Sequence, residues 1–169
     1  ATIEFYGSDA SRSPDYTRIV NDAHFERLAK YLHDGNVAFG GATDPATRFI
    51  APTVLTGVNR GDSVMQEEIF GPILPVIDCA SIEDAVAFIN ADDKPLALYV
   101  FSQDDSEAEA VIAGTSSGGV CVNGTVLHIG NPNLPFGGVG ESGTGAYHGR
   151  AGFDAFSHHR SVLTRSTKI

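Results

Sequence analysis

The chain is poor in cysteine, in basic residues and in long apolar runs, and each shortage excludes a class of protein. The 169 residues include two cysteines, which excludes a disulfide-stabilised scaffold and favours a reducing compartment. Lys and Arg number 11 against 21 Asp and Glu, a net charge of −10, so we expect no nucleic-acid partner. No apolar run is long enough for a bilayer span and no signal-peptide pattern opens the chain, so we expect no membrane contact and a cytoplasmic location.

Thiol and metal chemistry are not predicted either. Cys79 and Cys121 both have apolar sequence neighbours, which is typical of an inert cysteine that packs as a small hydrophobe. The histidines His148, His158 and His159 have no acidic or cysteine partner at ligand spacing, so we expect no metal site.

Strand and helix signals alternate along the first 122 residues. Apolar runs predict strands at residues 37–39, 49–55, 73–77, 96–101 and 120–122. Capping residues predict helices that begin at Asp22, at Ser81 and at Asp104 or Asp105. Gly35 and Gly114 are expected to close the first and third helices. The alternation predicts an α/β fold whose mostly parallel sheet is joined by crossover helices.

The composition changes after Asn123. Six glycines between Gly137 and Gly149 predict a long ordered loop, followed by a short helix near residues 151–156. Ser161–Arg165 alternates apolar and polar residues, which predicts a last strand that pairs with another subunit. We therefore divide the chain into a main domain, 1–157, and an oligomerisation strand with its tail, 158–169.

One acidic and aromatic loop is a candidate ligand site. Two acids, Glu67 and Glu68, run into Phe70 and a Gly-Pro turn that leads directly into a buried strand. Loops at strand ends form the ligand crevice of α/β proteins. A carboxylate there can accept hydrogen bonds from a ribose diol, and an aromatic ring can pack on nicotinamide. The alternative is a solvated acidic loop in which Phe70 plugs the core.

A second loop matches a nucleotide-binding pattern that we reject. Gly138, Gly140 and Gly143 have the spacing of the dinucleotide fingerprint, but Pro132 and Pro135 precede them where a strand is required. We expect these glycines to allow close main-chain passage beside Phe136.

The fixed order of several motifs gives the chain a family resemblance along essentially its whole length. These motifs are Thr2–Gly7, Ser13–Tyr16, Ala51–Thr56, Met65–Pro72, Lys94–Phe101, Ser116–Val120, Leu134–Gly143, Tyr147–Gly149, Gly152–Phe153 and Phe156–His158. The chain resembles the branch of the aldehyde dehydrogenase superfamily that acts on fatty, aromatic and coniferyl aldehydes. The resemblance implies the C-terminal part of the catalytic domain, with NAD or NADP as cofactor.

Residue roles follow from this resemblance. Glu68 matches the acid that binds the nicotinamide ribose, and Phe70 matches the aromatic residue beside the nicotinamide. Phe136 matches the aromatic residue near the active site, and Tyr147 and His148 match residues close to its cofactor side. His128 either faces the substrate pocket or is a core histidine.

The family's reacting groups have no counterpart in the sequence. The family's nucleophilic cysteine stands in an Asn-x-Gly-Gln-x-Cys-like motif, which neither Cys79 nor Cys121 matches. The resemblance implies that this cysteine, the general-base glutamate and the nucleotide-binding domain precede the chain. We thus expect no catalytic residue here and a fragment that is inactive alone, oligomerises and needs the missing N-terminal part to oxidise aldehydes to carboxylic acids. The alternatives are a stand-alone assembly or regulatory module and, less favoured, a small nucleotide binder; the upstream coding sequence distinguishes the first two.

Overall fold

Two units of α/β structure make up the chain, Ala1–Asp78 and Cys79–Ile169, here called unit 1 and unit 2. The computed structural model describes residues 1–167. Among these residues the longest helices have ten residues, whereas a bilayer span needs about 20. No helix in the described part of the chain is therefore able to cross a membrane.

Unit 1 contains two helices, five strands and two single turns of 3-10 helix. The helices are α1 (Thr2–Tyr6) and α2 (Asp22–Tyr31). The strands are β1 (Asn36–Phe39), β2 (Thr43–Asp44), β3 (Phe49–Ile50), β4 (Thr53–Thr56) and β5 (Ile73–Val76). The 3-10 turns are Ala10–Arg12 and Ser63–Met65.

The sheet of unit 1 is mixed, which corrects part of the prediction. Its order is β1-β4-β5, with β1 antiparallel and β5 parallel to the central strand. The predicted strand 49–55 is two strands, β3 in a hairpin with β2 and β4 in the sheet. Pro52 separates them because it has no main-chain N–H for a strand ladder.

The core of unit 1 lies between α2 and the strands. Its buried residues are Phe25, Leu28, Tyr31, Ile50, Leu55, Val58, Val64 and Ile73. The predicted apolar face of α2 is confirmed at Phe25 and Leu28, while Ala29 and Leu32 are partly buried at the rim of the core. The helix begins one residue earlier than predicted, because Asn21 Oδ1 accepts the hydrogen bond of His24 N at 2.8 Å. The pattern also missed Tyr31, which is 3% exposed.

Tyr16 ties the segment before α2 to strand β3. Its hydroxyl donates to the carbonyl of Ile50 at 2.7 Å, and its ring packs edge-on against Tyr6 and Phe49. Burial, with the Tyr6 hydroxyl nearby as a second cause, raises the pKa of Tyr16 to about 12 from 10.0. The neutral hydroxyl is therefore the form that the fold selects.

We expect Tyr16 to make unit 1 less stable in alkali. Its folded pKa lies above its unfolded pKa, so the stabilising contribution is complete below pH 10 and is lost as the pH rises to about 12. Absorbance at 295 nm should show that Tyr16, one of five tyrosines, ionises late or together with unfolding. Tyr16→Phe should remove this late step, and an unchanged titration curve would contradict the assignment.

The described part of unit 2, residues 79–167, contains three helices and two strands. The helices are α3 (Ile82–Asn90), α4 (Asp105–Gly114) and α5 (Gly149–Ala155), and the strands are β6 (Ala97–Val100) and β7 (Gly119–Val122). Strands β6 and β7 are parallel and joined through α4, which confirms the crossover predicted there. A single 3-10 turn occupies Gly140–Ser142.

Local signals place the first two helices of unit 2. Ser81 Oγ accepts from Asp84 N at 3.1 Å, and Asp104 Oδ1 accepts from Ser106 N at 2.8 Å, so both predicted caps are confirmed. The helices pack at Gly114, where an added Cβ would lie 3.0 Å from Val86 Cγ1. Helix α4 includes Gly114 rather than ending before it.

Two expectations for the outer parts of unit 2 differ from the structure. The continuous apolar run 96–101 is typical of a strand covered on both faces, but Tyr99 and Phe101 are exposed. Cys79 is exposed rather than packed. Ser161–Arg165 forms no strand within the described chain, and its pairing with another subunit stays a prediction. The last two residues of the predicted tail, Lys168 and Ile169, lie outside the described residues.

Candidate functional site

The predicted site residues lie in both units, and each group has its own local structure. Glu68 and Phe70 belong to the segment Glu67–Pro72 of unit 1, here called the acidic loop, which connects the Ser63–Met65 turn with strand β5. His128, Phe136, Tyr147 and His148 belong to unit 2.

Side chains of helix α2 hold the main chain of the acidic loop. Arg27 Nη1 donates to the carbonyl oxygen of Glu68 at 3.1 Å, and Nη2 donates to that of Ile69 at 2.7 Å. His24 Nε2 lies 2.9 Å from the carbonyl oxygen of Phe70. Three successive carbonyl groups of the loop are thus bound by two helical side chains.

The contacts of Arg27 also define the tautomer of His24. Arg27 Nη2 lies 3.1 Å from His24 Nδ1, and a guanidinium group can only donate hydrogen bonds. His24 Nδ1 is therefore the acceptor, so the ring proton is on Nε2 and is donated to Phe70.

Glu67 binds back to the helix. The Tyr31 hydroxyl donates to Glu67 Oε1 at 2.5 Å, and Arg27 Nη1 lies 3.2 Å from the same oxygen. The hydrogen bond from Tyr31, followed by that from Arg27, holds the pKa of Glu67 below its usual value. Burial, with the hydrogen bond to Glu67 as a second cause, raises the pKa of Tyr31. Glu67 is therefore a carboxylate engaged in structure.

Glycine at position 71 lets the loop approach the core. A Cβ atom there would lie 2.6 Å from Leu28 Cδ1 and 2.9 Å from Leu28 Cδ2. The loop therefore rests on α2 with no side chain between its main chain and the buried Leu28.

Glu68 and Phe70 are exposed on this fixed loop. The Glu68 side chain is exposed and accepts no hydrogen bond from the described residues. Phe70 is 78% exposed, and its backbone has a φ of +48°. An aromatic residue in left-handed backbone is uncommon and persists where surrounding contacts impose it. The alternative prediction, that Phe70 plugs the core, is wrong.

An open groove adjoins the Phe70 ring. Its volume is about 310 Å³, and it lies between residues 16–20 on one side and Phe70, Gly71 and Pro72 on the other. Arg18 lines it but is already engaged, because Nη1 donates to the carbonyl of Tyr16 at 2.8 Å and Nη2 to that of Ser11. The acidic loop therefore presents the Phe70 ring beside this groove and carries the exposed Glu68 carboxylate.

The four predicted residues of unit 2 form one aromatic cluster with Tyr99 of strand β6. The Phe136 ring is central: its centroid lies 5.9 Å from Tyr147, 6.0 Å from His128 and 6.2 Å from His148. Tyr99 extends the cluster with a centroid distance of 6.0 Å to His128. Ring pairs at such distances attract one another edge-to-face or offset.

Main-chain contacts determine the shape of the aromatic cluster. Phe136 N donates to the Tyr147 carbonyl at 2.9 Å, and Tyr147 N donates to the Phe136 carbonyl at 3.0 Å. A Cβ on Gly137 would lie 2.1 Å from the Gly145 carbonyl oxygen. The close passage predicted for Gly138, Gly140 and Gly143 is confirmed at Gly138, where a Cβ would lie 2.1 Å from the Ser142 carbonyl oxygen, but not at Gly140, where a Cβ would have no neighbour within 4 Å.

Two imidazole rings in the cluster have buried nitrogens without partners. Both nitrogens of His128 and the Nδ1 of His148 are shielded from solvent and make no hydrogen bond within residues 1–167. Gly119 gives the His128 ring room, since a Cβ there would lie 2.8 Å from His128 Cδ2. Buried polar atoms normally have partners, so these nitrogens are suited to a ligand or to a further protein group.

The sequence indicated the residues of the candidate site but not the residues that hold them in place. It did not identify Arg27 or Tyr31 in unit 1, or Tyr99 in unit 2. Arg27 and Tyr31 are four residues apart and share a face of α2 with His24, a pattern that the apolar periodicity of the helix obscures. Within residues 1–167, no group of three His, Cys, Asp or Glu side chains is arranged to hold a metal ion.

Comparison with known proteins identifies the family. The profile of the aldehyde dehydrogenase family matches residues 5–162. The chain belongs to the aldehyde dehydrogenase family. It is 54% identical over 162 residues to the dimeric NADP-preferring aldehyde dehydrogenase of Bos taurus, covering 96% of this chain and 68% of that one. It is 53% identical over 165 residues to the Mus musculus protein of the same name and to Aldehyde dehydrogenase family 3 member A2 of Rattus norvegicus.

The chain spans about a third of the length of two of these relatives. It covers 36% of the mouse protein and 34% of the rat protein, while each match includes 98% of the chain itself. Solved structures of aldehyde dehydrogenases are also similar to this chain over about a third of their length. The substrate-bound state of Staphylococcus aureus AldH superposes with a TM-score of 0.90 at 48% identity, over 99% of this chain and 37% of that one. A Mycobacterium tuberculosis aldehyde dehydrogenase complexed with NAD+ gives 0.80 at 28% identity, over 96% and 34%.

Proposed function

We propose that this chain is the part of an NAD(P)+-dependent aldehyde dehydrogenase that binds the nicotinamide end of the cofactor and forms one wall of the aldehyde pocket. The complete enzyme would oxidise an aldehyde to a carboxylic acid. The observation that carries this proposal is the acidic loop, where the Glu68 carboxylate, which has no partner among residues 1–167, and the exposed Phe70 ring stand on a main chain held by α2.

The acidic loop fits this end of the cofactor chemically. The Glu68 carboxylate can accept hydrogen bonds from two adjacent ribose hydroxyls, and the Phe70 ring offers an apolar face to a flat heteroaromatic group. The cofactor, when bound, accepts the hydride that the aldehyde carbon loses on oxidation. Because both side chains are already presented by a fixed loop, binding would require little ordering of the protein.

The aromatic cluster fits the substrate end. The Phe136 and Tyr147 rings would offer apolar surface to aliphatic and aromatic aldehydes, and the buried nitrogens of His128 and His148, which have no partner among residues 1–167, can orient a polar atom or an ordered water. We assign fatty, aromatic and coniferyl aldehydes as the substrate class. Support comes from the resemblance of the sequence motifs.

The proposal extends to the choice of cofactor, to the oligomeric state and to the groups that the rest of the enzyme would supply. Relatives named as dimeric and NADP-preferring, and a structural neighbour that holds NAD+, support use of either cofactor and assembly as a dimer. The nucleophilic cysteine and the general base would be supplied by the part of the enzyme outside this chain, so the chain alone would have no turnover.

Cofactor titration of the full-length enzyme tests the proposal. Glu68→Gln removes the charge but keeps the shape, and Phe70→Ala removes the ring. Each should weaken NADPH or NADH binding by about tenfold, the effect of losing about 1.4 kcal/mol. Fluorescence of the reduced cofactor gives the Kd independently of turnover.

Matched controls are available in the same unit. Glu26→Gln removes an exposed acid from α2, and Phe5→Ala removes an aromatic ring that is 67% exposed in α1. Neither should change the Kd for the cofactor. If Glu68→Gln and Phe70→Ala bind the cofactor as tightly as these controls, the assignment of the acidic loop is wrong.

A further inference from the structure

Arg27 is placed to control where the acidic loop presents its two exposed side chains. We propose that Arg27, with Glu67 and Tyr31, is a positioning group that sets Glu68 and Phe70 in register with the cofactor. We call these three residues the Arg27 anchor. The inference rests on the proposed function, which it deepens by assigning a role to residues that do not themselves face the cofactor.

Arg27 contacts Glu68, the residue that it would position, and both of its neighbours in sequence. The guanidinium group binds the Glu68 and Ile69 carbonyls at 3.1 and 2.7 Å and the Glu67 carboxylate at 3.2 Å. Rotation of the main chain at residue 68 would break at least one of these contacts. The direction of the Glu68 side chain is therefore coupled to Arg27 through the main chain.

Phe70 depends on the same helix because packing does little to hold it. Its ring is 78% exposed and its backbone has a φ of +48°, a conformation that relaxes unless neighbouring contacts oppose it. The opposing contact is the hydrogen bond from His24 to the Phe70 carbonyl, and His24 Nδ1 in turn accepts from Arg27. Arg27 thus acts on Glu68 directly and on Phe70 through one imidazole.

A simple stabilising ion pair does not account for this arrangement. The Arg27 and Glu67 side chains are 27% and 56% exposed, and ion pairs at such sites contribute little to stability. The planar guanidinium group reaches several acceptors at fixed angles, which a lysine ammonium group cannot reproduce. Tyr31 completes the anchor, since its hydroxyl accepts from Arg27 at 2.8 Å and donates to Glu67 at 2.5 Å.

A fluorescence measurement on the chain itself tests the positioning directly. The sequence contains no tryptophan, so Phe70→Trp places a single indole on the acidic loop. Time-resolved anisotropy then reports how freely the ring moves. Adding Arg27→Lys should produce a loss of residual anisotropy, whereas adding Arg12→Lys, which changes an exposed arginine paired with Asp9, should not. Circular dichroism melting of each variant verifies that the comparison is between folded proteins.

Cofactor binding by the full-length enzyme tests the consequence. In the wild-type background, Arg27→Lys should weaken NADPH or NADH binding by about tenfold. Glu67→Gln should act in the same direction by about threefold, because it removes the charge from only one of the contacts of Arg27. The KM for NAD(P)+ should rise with each variant, while the KM for the aldehyde stays unchanged.

The possible outcomes separate this inference from the proposed function. If Phe70→Ala and Glu68→Gln weaken cofactor binding but Arg27→Lys does not, the Arg27 anchor is refuted and the function stands. If Arg27→Lys loosens the indole while Phe70→Ala and Glu68→Gln have no effect on the cofactor, the proposed function is refuted, and the control of the acidic loop by Arg27 stands without a role in cofactor binding. An equal rise in the KM values for cofactor and aldehyde would indicate general destabilisation and would overturn the inference.

Discussion

Gly137→Ala is expected to destabilise unit 2 by about 3 kcal/mol or more, which exceeds the usual cost of an added methyl group. The new Cβ would lie 2.1 Å from the Gly145 carbonyl oxygen and 2.9 Å from Ala146 Cα. Both neighbours are main-chain atoms, so no side chain can turn away to relieve the contact. The two paired segments must separate, which breaks the reciprocal hydrogen bonds between Phe136 and Tyr147.

Urea unfolding followed by circular dichroism measures the loss of stability. The near-ultraviolet signal should fall as well, because the aromatic cluster loses its fixed geometry. Gly130→Ala is the matched control, since the nearest atom to its added Cβ is the Leu127 carbonyl oxygen at 3.6 Å. That variant should retain the stability of the parent chain, and equal stability of the two variants would show that the close approach at Gly137 is not rigid.

Leu28→Ala is expected to cost unit 1 about 2–5 kcal/mol, the range for truncating a buried leucine. The Leu28 side chain is 0% exposed and lies between the core and the main chain at Gly71. Its removal leaves a cavity beneath the acidic loop, because neighbouring groups held by hydrogen bonds cannot collapse fully into the space. The loss is measurable as a lower urea midpoint for unit 1.

Leu127→Ala provides the comparison for this change. It removes the same atoms from a side chain that is 72% exposed, so the stability should change by less than about 1 kcal/mol. Similar losses for the two leucines would contradict the placement of Leu28 in the core.

The elements with strong local signals were predictable from the sequence. The caps at Ser81 and Asp104 are side-chain hydrogen bonds within one turn, so the residues involved are neighbours in sequence. The apolar face of α2 is a local period as well. In contrast, the division of residues 49–55 into two strands depends on which strands pair, and a strand at Ser161–Arg165 would depend on a neighbouring strand that the described chain does not supply. Neither is a property of the segment itself.

For the candidate site, the sequence indicated the groups that a ligand would meet and not their support. Glu68, Phe70 and Phe136 stand in compact motifs that can be recognised by order and spacing. Arg27 is 41 residues from Glu68 along the chain, and its role is visible only when α2 and the acidic loop are brought together. Tyr99 likewise joins His128 from a separate strand. Contacts between residues that are far apart along the chain leave no recognisable pattern in the sequence.

The hydrogen bonds from α2 side chains to the main chain of the acidic loop have an evolutionary consequence. Arg27 and His24 bind carbonyl oxygens, and every amino-acid type offers the same oxygen. Replacement of Ile69 by another apolar residue that packs against the core therefore leaves the path of the polypeptide unaltered there, whereas exchange of Arg27 would shift that path for any residue carried at 68 or 70. Natural variants should accordingly tolerate apolar replacements at position 69 and few replacements of any kind at position 27.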